Sequence, residues 1–486
     1  MQETRNLEPV SVWNHFEDLN AVPRASKKEE QVIAFMENFG RSLNLIVEKD
    51  EIGNVLIKKP ATPGMEDRKM VVMQSHLDMV HQKNADTNFD FATQGIQTYI
   101  DGDWVKAKGT TLGADNGMGV AAIMAVLSST DMVHPAIEAL FTVDEEAGMT
   151  GAQKLRKNWL KGDILLNLDT EEDDELSIGC AGGIDTNITW EYSQETLSGD
   201  YTALNIAVKG LKGGHSGMDI ILGLGNANKI MNRVLWDTRA QFGVRINSID
   251  GGGLRNAIPR ESKAIVAVPS DKVAQVKAHW KTLGAALKQE FETTDPNFEL
   301  SIEETVAVTN VMASAQHDGL LWAIQACHDG IKRMSPDVAD LVETSNNLAR
   351  VSVKDGNAEM YCLTRSDRES AKYDMAHSIA SCFNLIGATV EHKGSYPGWK
   401  LDPNAKMLNT MKALYKELFK EEVRVLACHA GLECGLLGEH YPNLEMISFG
   451  PTIRGAHSPD ERVHIASVGK FWYWLSETLK RIPTKD

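Results

Sequence analysis

Residues that can bind metal ions or move protons stand at the ends of several short apolar runs in this sequence. They occur in the strings SHLD, LGADNG, VDEEAG, NLDT and GAHSPDE, and they are His76, Asp78, Asp115, Glu145, Glu146, Asp169 and His457. Each residue alone has a common structural explanation, because buried histidines form hydrogen bonds and a strand-terminal aspartate caps the next helix. Taken together, they predict one site where several carboxylates and imidazoles meet.

The composition of this group indicates a particular chemistry. Carboxylates that lie close together repel each other, so a cluster of them requires cations. Two zinc ions would balance three carboxylates (Asp115, Glu146 and Asp169) and a bridging hydroxide, with His76 and His457 neutral. Imidazole and carboxylate ligands without thiolate are typical of catalytic zinc, cobalt or manganese. The group therefore predicts a hydrolase with two metal ions.

The apolar runs themselves predict an α/β layer. The segments EIGNVLIKK, KMVVMQSHLDMV, ALFTVDEEAG and DILLNLDTEE are typical of strands, and GVAAIMAVLSS is typical of a helix. A further helix is expected from about Ser26, whose hydroxyl would cap it. Strands that alternate with helices favour a mainly parallel central sheet. Because sites in such sheets lie beyond the carboxyl ends of the strands, the polar residues should gather there.

The middle of the chain has a different pattern. From about Tyr201 the order is strand, helix, strand, strand, helix, strand, which is typical of a split βαβ unit. A similar order recurs before α/β character returns at about Ser395. We therefore expect a discontinuous catalytic domain, residues 1–186 and 394–486. An α+β domain of ferredoxin-like units, residues 187–393, is inserted into it.

Composition excludes several classes of function. The chain has 486 residues and a formal net charge of −17, which argues against a nucleic-acid or anionic-membrane partner. No apolar stretch approaches the roughly 18 residues of a membrane-spanning helix, and the opening MQETRNLEPVSVWNHF lacks a secretory signal pattern. Six cysteines without a CxxC pair are expected to be reduced thiols. These features predict a cytoplasmic protein.

Seven strings of the sequence resemble one family of enzymes. SHLDMV, GTTLGADNGMGVA, VDEEAGMTGA, NLDTEE, GGHSG, HAGLECG and GPTIRGAHSPDERV are similar, in the same order, to motifs of the co-catalytic di-zinc peptidases. That family includes carnosinases and acyl-amino-acid deacylases. The resemblance implies that His76 and Asp169 bind one metal ion, that Glu146 and His457 bind the other, and that Asp115 bridges both. It also implies a cis peptide bond after Asp115.

The same resemblance implies roles for residues that bind no metal. Glu145 would be the general base, and Asp78 would accept a hydrogen bond from His76. His215 of GGHSG would stabilise the oxyanion. Asn256 and Arg365 would bind the substrate backbone and carboxylate, although Arg368 is a nearby competitor for Arg365. His429 and Glu433 of HAGLECG are expected to line the pocket.

The activity that the resemblance implies is a two-zinc dipeptidase, with cobalt or manganese as other possible metals. It would hydrolyse unblocked dipeptides, including substrates like β-alanyl-histidine, and would prefer histidine at the carboxyl side. The attacking group would be a metal-bridged hydroxide. The inserted domain would act as a lid and form a homodimer. Three alternatives stay open at this point: a tripeptide aminopeptidase or N-acyl-amino-acid deacylase of the same family, a non-catalytic metal-binding partner module, and an unrelated acidic interaction protein.

Overall fold

The computed structural model describes residues 3–84, 86–336, 338–400, 402, 405–429 and 431–485. The chain forms two compact units. The first contains Met1–Gly179, Trp399–Ala427 and Leu432–Asp486, and the second contains Cys180–Gly398 and Cys428–Gly431. None of the helices among the described residues has the length and apolar character that crossing a membrane requires. No cysteine in the described part of the chain forms a disulfide bond.

The chain up to Cys180 supplies most of the first unit. Its strands are β1 (Ile46–Lys49), β2 (Val55–Lys59), β3 (Val71–His76), β4 (Thr98–Asp101), β5 (Trp104–Ala107), β6 (Ile137–Thr142), β7 (Ile164–Asn167) and β8 (Glu175–Cys180). Its helices are α1 (Val10–Asn20), α2 (Glu30–Ser42), α3 (Ala114–Ser128), α4 (Glu145–Gly148) and α5 (Thr150–Gln153). A short 3-10 turn, Glu3–Asn6, precedes α1.

The segment from Gly182 to Tyr396 belongs to the second unit. Its strands are β9 (Gly182–Glu191), β10 (Gln194–Thr196), β11 (Tyr201–Lys209), β12 (Gly214–His215), β13 (Arg245–Gly252), β14 (Ala257–Ile258), β15 (Ser262–Pro269), β16 (Glu299–Glu304), β17 (Asn310–Met312), β18 (Gly330–Met334), β19 (Val342–Lys354), β20 (Asn357–Ser366) and β21 (Thr389–Tyr396). Its helices are α6 (Ala227–Phe242), α7 (Val273–Glu290), α8 (Ser314–Ala326) and α9 (Glu369–Asn384), and 3-10 turns lie at Ile220–Leu222 and Ser270–Lys272.

The final segment returns to the first unit. It contains α10 (Lys406–Phe419), β22 (Arg424–Cys428), α11 (Glu433–His440), β23 (Glu445–Ser448), β24 (Ile453–Arg454), β25 (Arg462–His464) and α12 (Ile465–Lys480). The helix α12 buries one face, which includes Phe471, Trp474 and Leu475. This helix therefore contributes large apolar side chains to the core of the first unit.

The central sheet of the first unit has the strand order β1-β2-β6-β3-β7-β23-β8-β22. The four inner strands β6, β3, β7 and β23 are parallel, whereas β1, β2 and β8 pair antiparallel toward the edges. Every residue of β3, β6 and β7 is buried, as expected of strands that are covered on both faces. The apolar helix α3 packs against β3. The prediction of a mainly parallel central sheet is confirmed.

The second unit contains an antiparallel sheet with the order β16-β11-β15-β13-β19-β20-β9-β21. The strands β11, β13, β15 and β16, with α6 and α7, form one split βαβ unit, and β9, β19, β20 and β21, with α8 and α9, form another. The two split βαβ units join where β13 pairs with β19. The sequence pattern placed the start of the second split βαβ unit at a helix. In the structure, this βαβ unit starts with the strand β9, which precedes all of the first βαβ unit in the chain.

The pairing of β9 also bears on the expected domain boundaries. Residues 186/187 lie inside β9 and residues 393/394 lie inside β21, whereas the compact units divide after Gly179 and after Gly398. The strand β9 pairs along its whole length with β20, so all of it belongs to the sheet of the second unit. A boundary within this strand would cut that sheet.

Candidate metal centre

Parallel strands of the first unit place most of the chemically active residues at one edge of the sheet. His76 is the last residue of β3, Asp169 follows the end of β7, and Glu145 and Glu146 follow the end of β6. Asp115 lies in the first turn of α3, and its peptide bond with Asn116 is cis. His457 lies between β24 and β25 with a left-handed φ of 65°.

Asp115 lies at the centre of this group. Its Oδ1 atom is 3.2 Å from Nε2 of His76, and its Oδ2 atom is 3.1 Å from Nε2 of His457. The same imidazole nitrogens lie 3.5 Å from Oδ1 of Asp169 and 3.0 Å from Oε2 of Glu146. The side chains thus form two groups of three that share Asp115, and the ligand atoms of each group lie within 4.8 Å of one another.

The electrostatics of the group indicate that it is built for cations. Hydrogen bonds with Asp115 and Glu146 raise the pKa of His457 to about 11. Burial lowers the pKa of His76, but the charges of Asp169 and Asp115 outweigh this effect and raise the pKa well above its ordinary value. Burial raises the pKa of Glu146, and its buried Oε1 atom has no hydrogen-bond partner in the part of the chain that the structure describes. Two divalent ions would satisfy these oxygens and free the imidazoles to act as neutral ligands.

Glu145 is directed differently from its neighbour Glu146. It lies with His76 and Glu146 in a potential ligand group but in neither of the groups that share Asp115. The backbone permits this because β6 ends at Thr142 and Asp144 adopts a left-handed φ of 57° before α4 begins. Burial raises the pKa of Glu145 well above its ordinary value, and the charge of Glu146 adds to the effect. Adjacent glutamates require such a turn at the end of a strand.

The carboxylate of Asp78 holds this turn in place. It accepts hydrogen bonds from the main-chain N–H groups of Glu145 (3.0 Å) and Glu146 (3.2 Å) and from the hydroxyl of Ser26 (2.8 Å). Nδ1 of His76 is 3.1 Å from the main-chain oxygen of Asp78 and 3.4 Å from its carboxylate. The expected contact between His76 and Asp78 is therefore made mainly by the carbonyl group.

One sequence-based expectation near this turn is wrong. Ser26 does not cap a helix, because its hydroxyl donates to Asp78 and α2 begins only at Glu30. A separate feature is the acidic run after Asp169, which contains Glu171. Burial and the charge of Asp115 raise the pKa of Glu171 to about 8, so this carboxyl belongs to the electrostatics of the site. No sequence signal distinguished Glu171 from its acidic neighbours.

Glu433 is a further buried carboxyl group close to these residues. Its Oε2 atom accepts hydrogen bonds from Gln74 and Thr142, both at 2.6 Å, while the buried Oε1 atom has no hydrogen-bond partner within the described ranges. Burial raises its pKa to about 7, and its charge contributes to the raised pKa of Glu145. The sequence placed Glu433 at the pocket without a specific role.

The remaining predicted residues belong to the second unit, where they surround Gly217. A Cβ atom on Gly217 would lie 2.2 Å from the carbonyl oxygen of His429, 3.1 Å from Nε of Arg365 and 3.1 Å from Cε1 of His215. The adjacent Ser216 donates its N–H to the carbonyl of Asn256 at 2.7 Å. The structure thus brings His215, Arg365 and His429 together, with the main chain of Asn256 beside them.

Arg365 is the buried arginine of this cluster, whereas Arg368 is partly exposed at the start of α9. Nη1 of Arg365 donates to the hydroxyl of Tyr396 at 2.9 Å, and its buried Nε has no hydrogen-bond partner among the described residues. Burial and the charge of Arg365 lower the pKa of His429 to about 3, so this imidazole is neutral. Its Nε2 lies 2.8 Å from the hydroxyl of Ser345.

A family model for peptidase family M20/M25/M40 matches residues 72–481, which include every element of the candidate metal centre. The chain belongs to the M20 peptidase family. Among curated M20-like relatives, it is 44% identical over 485 residues to the cytosol non-specific dipeptidase of Escherichia coli, and the match covers 100% of both chains.

Solved structures agree with this membership. The aminoacylhistidine dipeptidase of Vibrio alginolyticus is 43% identical, has a TM-score of 0.89, and is matched over 99% of its length by 100% of this chain. Human carnosine dipeptidase 1 has a TM-score of 0.52 at 11% identity, with 97% of this chain and 96% of that chain covered. At that identity, the second match shows the M20 fold alone.

Proposed function

We propose that this M20 protein is a cytoplasmic, metal-dependent dipeptidase that hydrolyses unblocked dipeptides and prefers histidine at the carboxyl side. The main observation behind the proposal is the pair of ligand groups that share Asp115. Support for the substrate class comes from full-length similarity to a cytosol non-specific dipeptidase and to an aminoacylhistidine dipeptidase. Substrates like β-alanyl-histidine are included in the proposal.

Five side chains would hold two divalent ions, most simply zinc, with cobalt or manganese as alternatives that use the same ligands. His76 and Asp169 belong to one ion, Glu146 and His457 to the other, and Asp115 to both. The buried, unpartnered oxygen of Glu146 and the absence of thiolate from the set support this assignment. When bound, such ions lower the pKa of water and polarise the carbonyl group of a peptide bond.

Glu145 is the general base of the proposed reaction. Its carboxylate accepts a proton from water as the water oxygen bonds to the peptide carbonyl carbon, and it returns that proton to the departing amine as the C–N bond breaks. Burial favours the protonated carboxyl that this second step needs. The hydrogen bond from its main chain to Asp78 fixes the turn from which Glu145 acts.

Residues of the second unit supply the other proposed roles. His215 stabilises the oxyanion, Asn256 binds the substrate backbone, and Arg365 binds the substrate carboxylate, for which a guanidinium group is suited. The burial of Arg365 and its unpartnered Nε support a role in binding an anion. We propose that this unit acts as a lid and forms a homodimer, and that the chain has no nucleic-acid or membrane partner.

Two other functions use the same residues in different ways. A tripeptide aminopeptidase or an N-acyl-amino-acid deacylase would keep the metal centre and differ in substrate length or in the blocked amino group. A non-catalytic metal-binding module would have less use for Glu145, which belongs to neither of the two ligand groups that share Asp115. The position of Glu145 therefore favours catalysis.

The test is hydrolysis by metal-free and metal-loaded protein of a panel of Xaa-His dipeptides, β-alanyl-histidine, other dipeptides, tripeptides and N-acetyl amino acids. We expect hydrolysis of unblocked dipeptides only after metal loading, fastest with histidine at the carboxyl side. Glu145→Gln should retain two ions and lose at least about a hundredfold in kcat. The matched control Glu51→Gln alters an exposed glutamate and should behave as wild type. Preferred cleavage of tripeptides or acetylated substrates would refute the proposal.

A further inference from the structure

Glu461, four residues beyond His457, has a buried carboxylate in the first unit, with only 2% of the residue exposed. This carboxylate accepts hydrogen bonds from four consecutive main-chain N–H groups, those of residues 112–115, at 2.7, 2.9, 2.7 and 3.2 Å in chain order. Each of its two oxygens accepts two of these bonds. One side chain therefore holds the whole backbone segment that leads into Asp115.

That segment needs an external support because helix geometry does not set its position. Gly113 has a left-handed φ of 68°, and Asp115 has a ψ of 111°, so neither follows the regular α3 helix. The loop from which Glu461 reaches this segment also bears His457, whose Nε2 lies 3.1 Å from Asp115. The hydrogen bonds of Glu461 thus connect two of the proposed ligands through the backbone.

Arg24 also holds this segment, and its positive charge interacts with the carboxylate of Glu461. Its guanidinium is buried, with 2% exposed, and it donates to the carbonyl oxygen of Gly113 at 2.5 Å. It also donates to the carbonyl oxygens of Leu77 (3.3 Å) and Asp78 (3.4 Å), which directly follow His76. Arg24 therefore ties the segment held by Glu461 to the end of β3.

We infer that Glu461 is a positioning residue for both metal ions, with Arg24 as its charge partner. Oδ1 of Asp115 faces His76 and Oδ2 faces His457, so a displacement of Asp115 disturbs both ion positions at once. This inference rests on the proposed function, in which Asp115 is shared by two ions. It predicts a signature that loss of a ligand to only one ion does not give, namely a parallel loss of affinity at both positions.

The experiment is calorimetric titration of the metal-free, full-length chain with zinc, for wild type, Glu461→Gln, His457→Ala and Glu138→Gln. Glutamine offers one acceptor oxygen in place of two, so Glu461→Gln should weaken both ions about 10- to 100-fold. His457→Ala should weaken mainly one ion. Glu138 lies near the start of β6 and serves as a buried control, because its carboxylate accepts hydrogen bonds from the N–H groups of Lys161 and Gly162, which precede β7. Its variant should keep both affinities within about twofold of wild type.

The outcomes separate the inference from the function on which it rests. If wild type binds two ions and Glu461→Gln binds them equally well, the inference is overturned and the proposed function stands. If wild type binds no zinc, the proposed function itself fails. Circular dichroism of each metal-free variant shows whether it folds. If Glu461→Gln does not fold, the variant Arg24→Lys tests the inference in its place. Lysine keeps the positive charge but cannot reach three carbonyl groups. Unchanged affinity for both ions in Arg24→Lys also overturns the inference.

Discussion

Replacement of Asp78 by asparagine tests how the catalytic turn is held. In the wild type, Oδ1 accepts the N–H of Glu145, and Oδ2 accepts the N–H of Glu146 and the hydroxyl of Ser26. An asparagine side chain has one acceptor oxygen, which can take the place of either Oδ1 or Oδ2. Oδ2 accepts two hydrogen bonds and Oδ1 accepts one, so we expect the asparagine oxygen to take the place of Oδ2. The amide NH₂ group then faces the N–H of Glu145, which loses its acceptor.

The size of the effect follows from this geometry. One hydrogen bond to a charged group is lost and one buried donor is left without a partner, which together cost about 2 to 3 kcal/mol of unfolding free energy. The main chain of Glu145 is released by the same change, while none of the five proposed metal ligands is altered. We therefore expect kcat for a dipeptide to fall about 10- to 100-fold while two metal ions stay bound.

Urea denaturation followed by tryptophan fluorescence measures the stability, and hydrolysis of an Xaa-His dipeptide measures kcat. The control is Ser26→Ala, which removes another donor to the same carboxylate but leaves the bond to Glu145 intact. That variant should lose about 1 kcal/mol and keep kcat within about twofold. If Asp78→Asn retains wild-type kcat, or if both variants lose the same activity, the role given to Asp78 is refuted.

Three further predictions concern other parts of the chain. Asp115→Asn should lose both ions on dialysis and lower the unfolding temperature of the metal-loaded sample, measured by elemental analysis and calorimetry; retention of either ion at wild-type affinity would contradict its shared position. Burial lowers the pKa of His317 to about 3, below its value of about 6.5 in the unfolded chain. As the pH falls, His317 is therefore protonated in the unfolded chain before it is protonated in the folded chain, which favours unfolding. From pH 7.5 to 5, wild type should therefore lose about 2 kcal/mol more unfolding free energy than His317→Leu, and equal losses in urea titrations would exclude this. Tyr396→Phe removes the hydroxyl that orients Arg365, and KM for dipeptides should rise about fivefold at unchanged kcat; a fall in kcat alone would argue against a binding role.

The strand-end residues could be placed from sequence because parallel strands have a simple geometry. His76, Glu146 and Asp169 follow buried apolar runs, and the carboxyl ends of parallel strands meet at one edge of the sheet. A loop or bulge at the end of the strand before Glu145 and Glu146 is likewise required, because adjacent side chains of a regular strand point to opposite faces. These conclusions used only local periodicity and the sign of charges.

Other features depend on contacts between distant segments, for which local periodicity gives no signal. Glu461 binds backbone groups more than three hundred positions earlier in the chain, and Arg24 binds carbonyl groups beyond the end of β3. The sequence pattern does not distinguish Glu461 or Arg24 from other charged residues. The expected boundary at residues 186/187 likewise divides the strand β9, because its partners β20 and β21 lie far along the chain.

Zinc titration of the metal-free chain, with hydrolysis of an Xaa-His dipeptide followed in the same samples, tests the central claim most directly. The claim is that two divalent ions hold the carboxylates and imidazoles around Asp115 in a catalytic arrangement. We predict that two ions bind per chain and that hydrolysis appears as these positions fill. Hydrolysis by the metal-free chain, or a chain that binds no ions and stays inactive at saturating zinc, would contradict the claim.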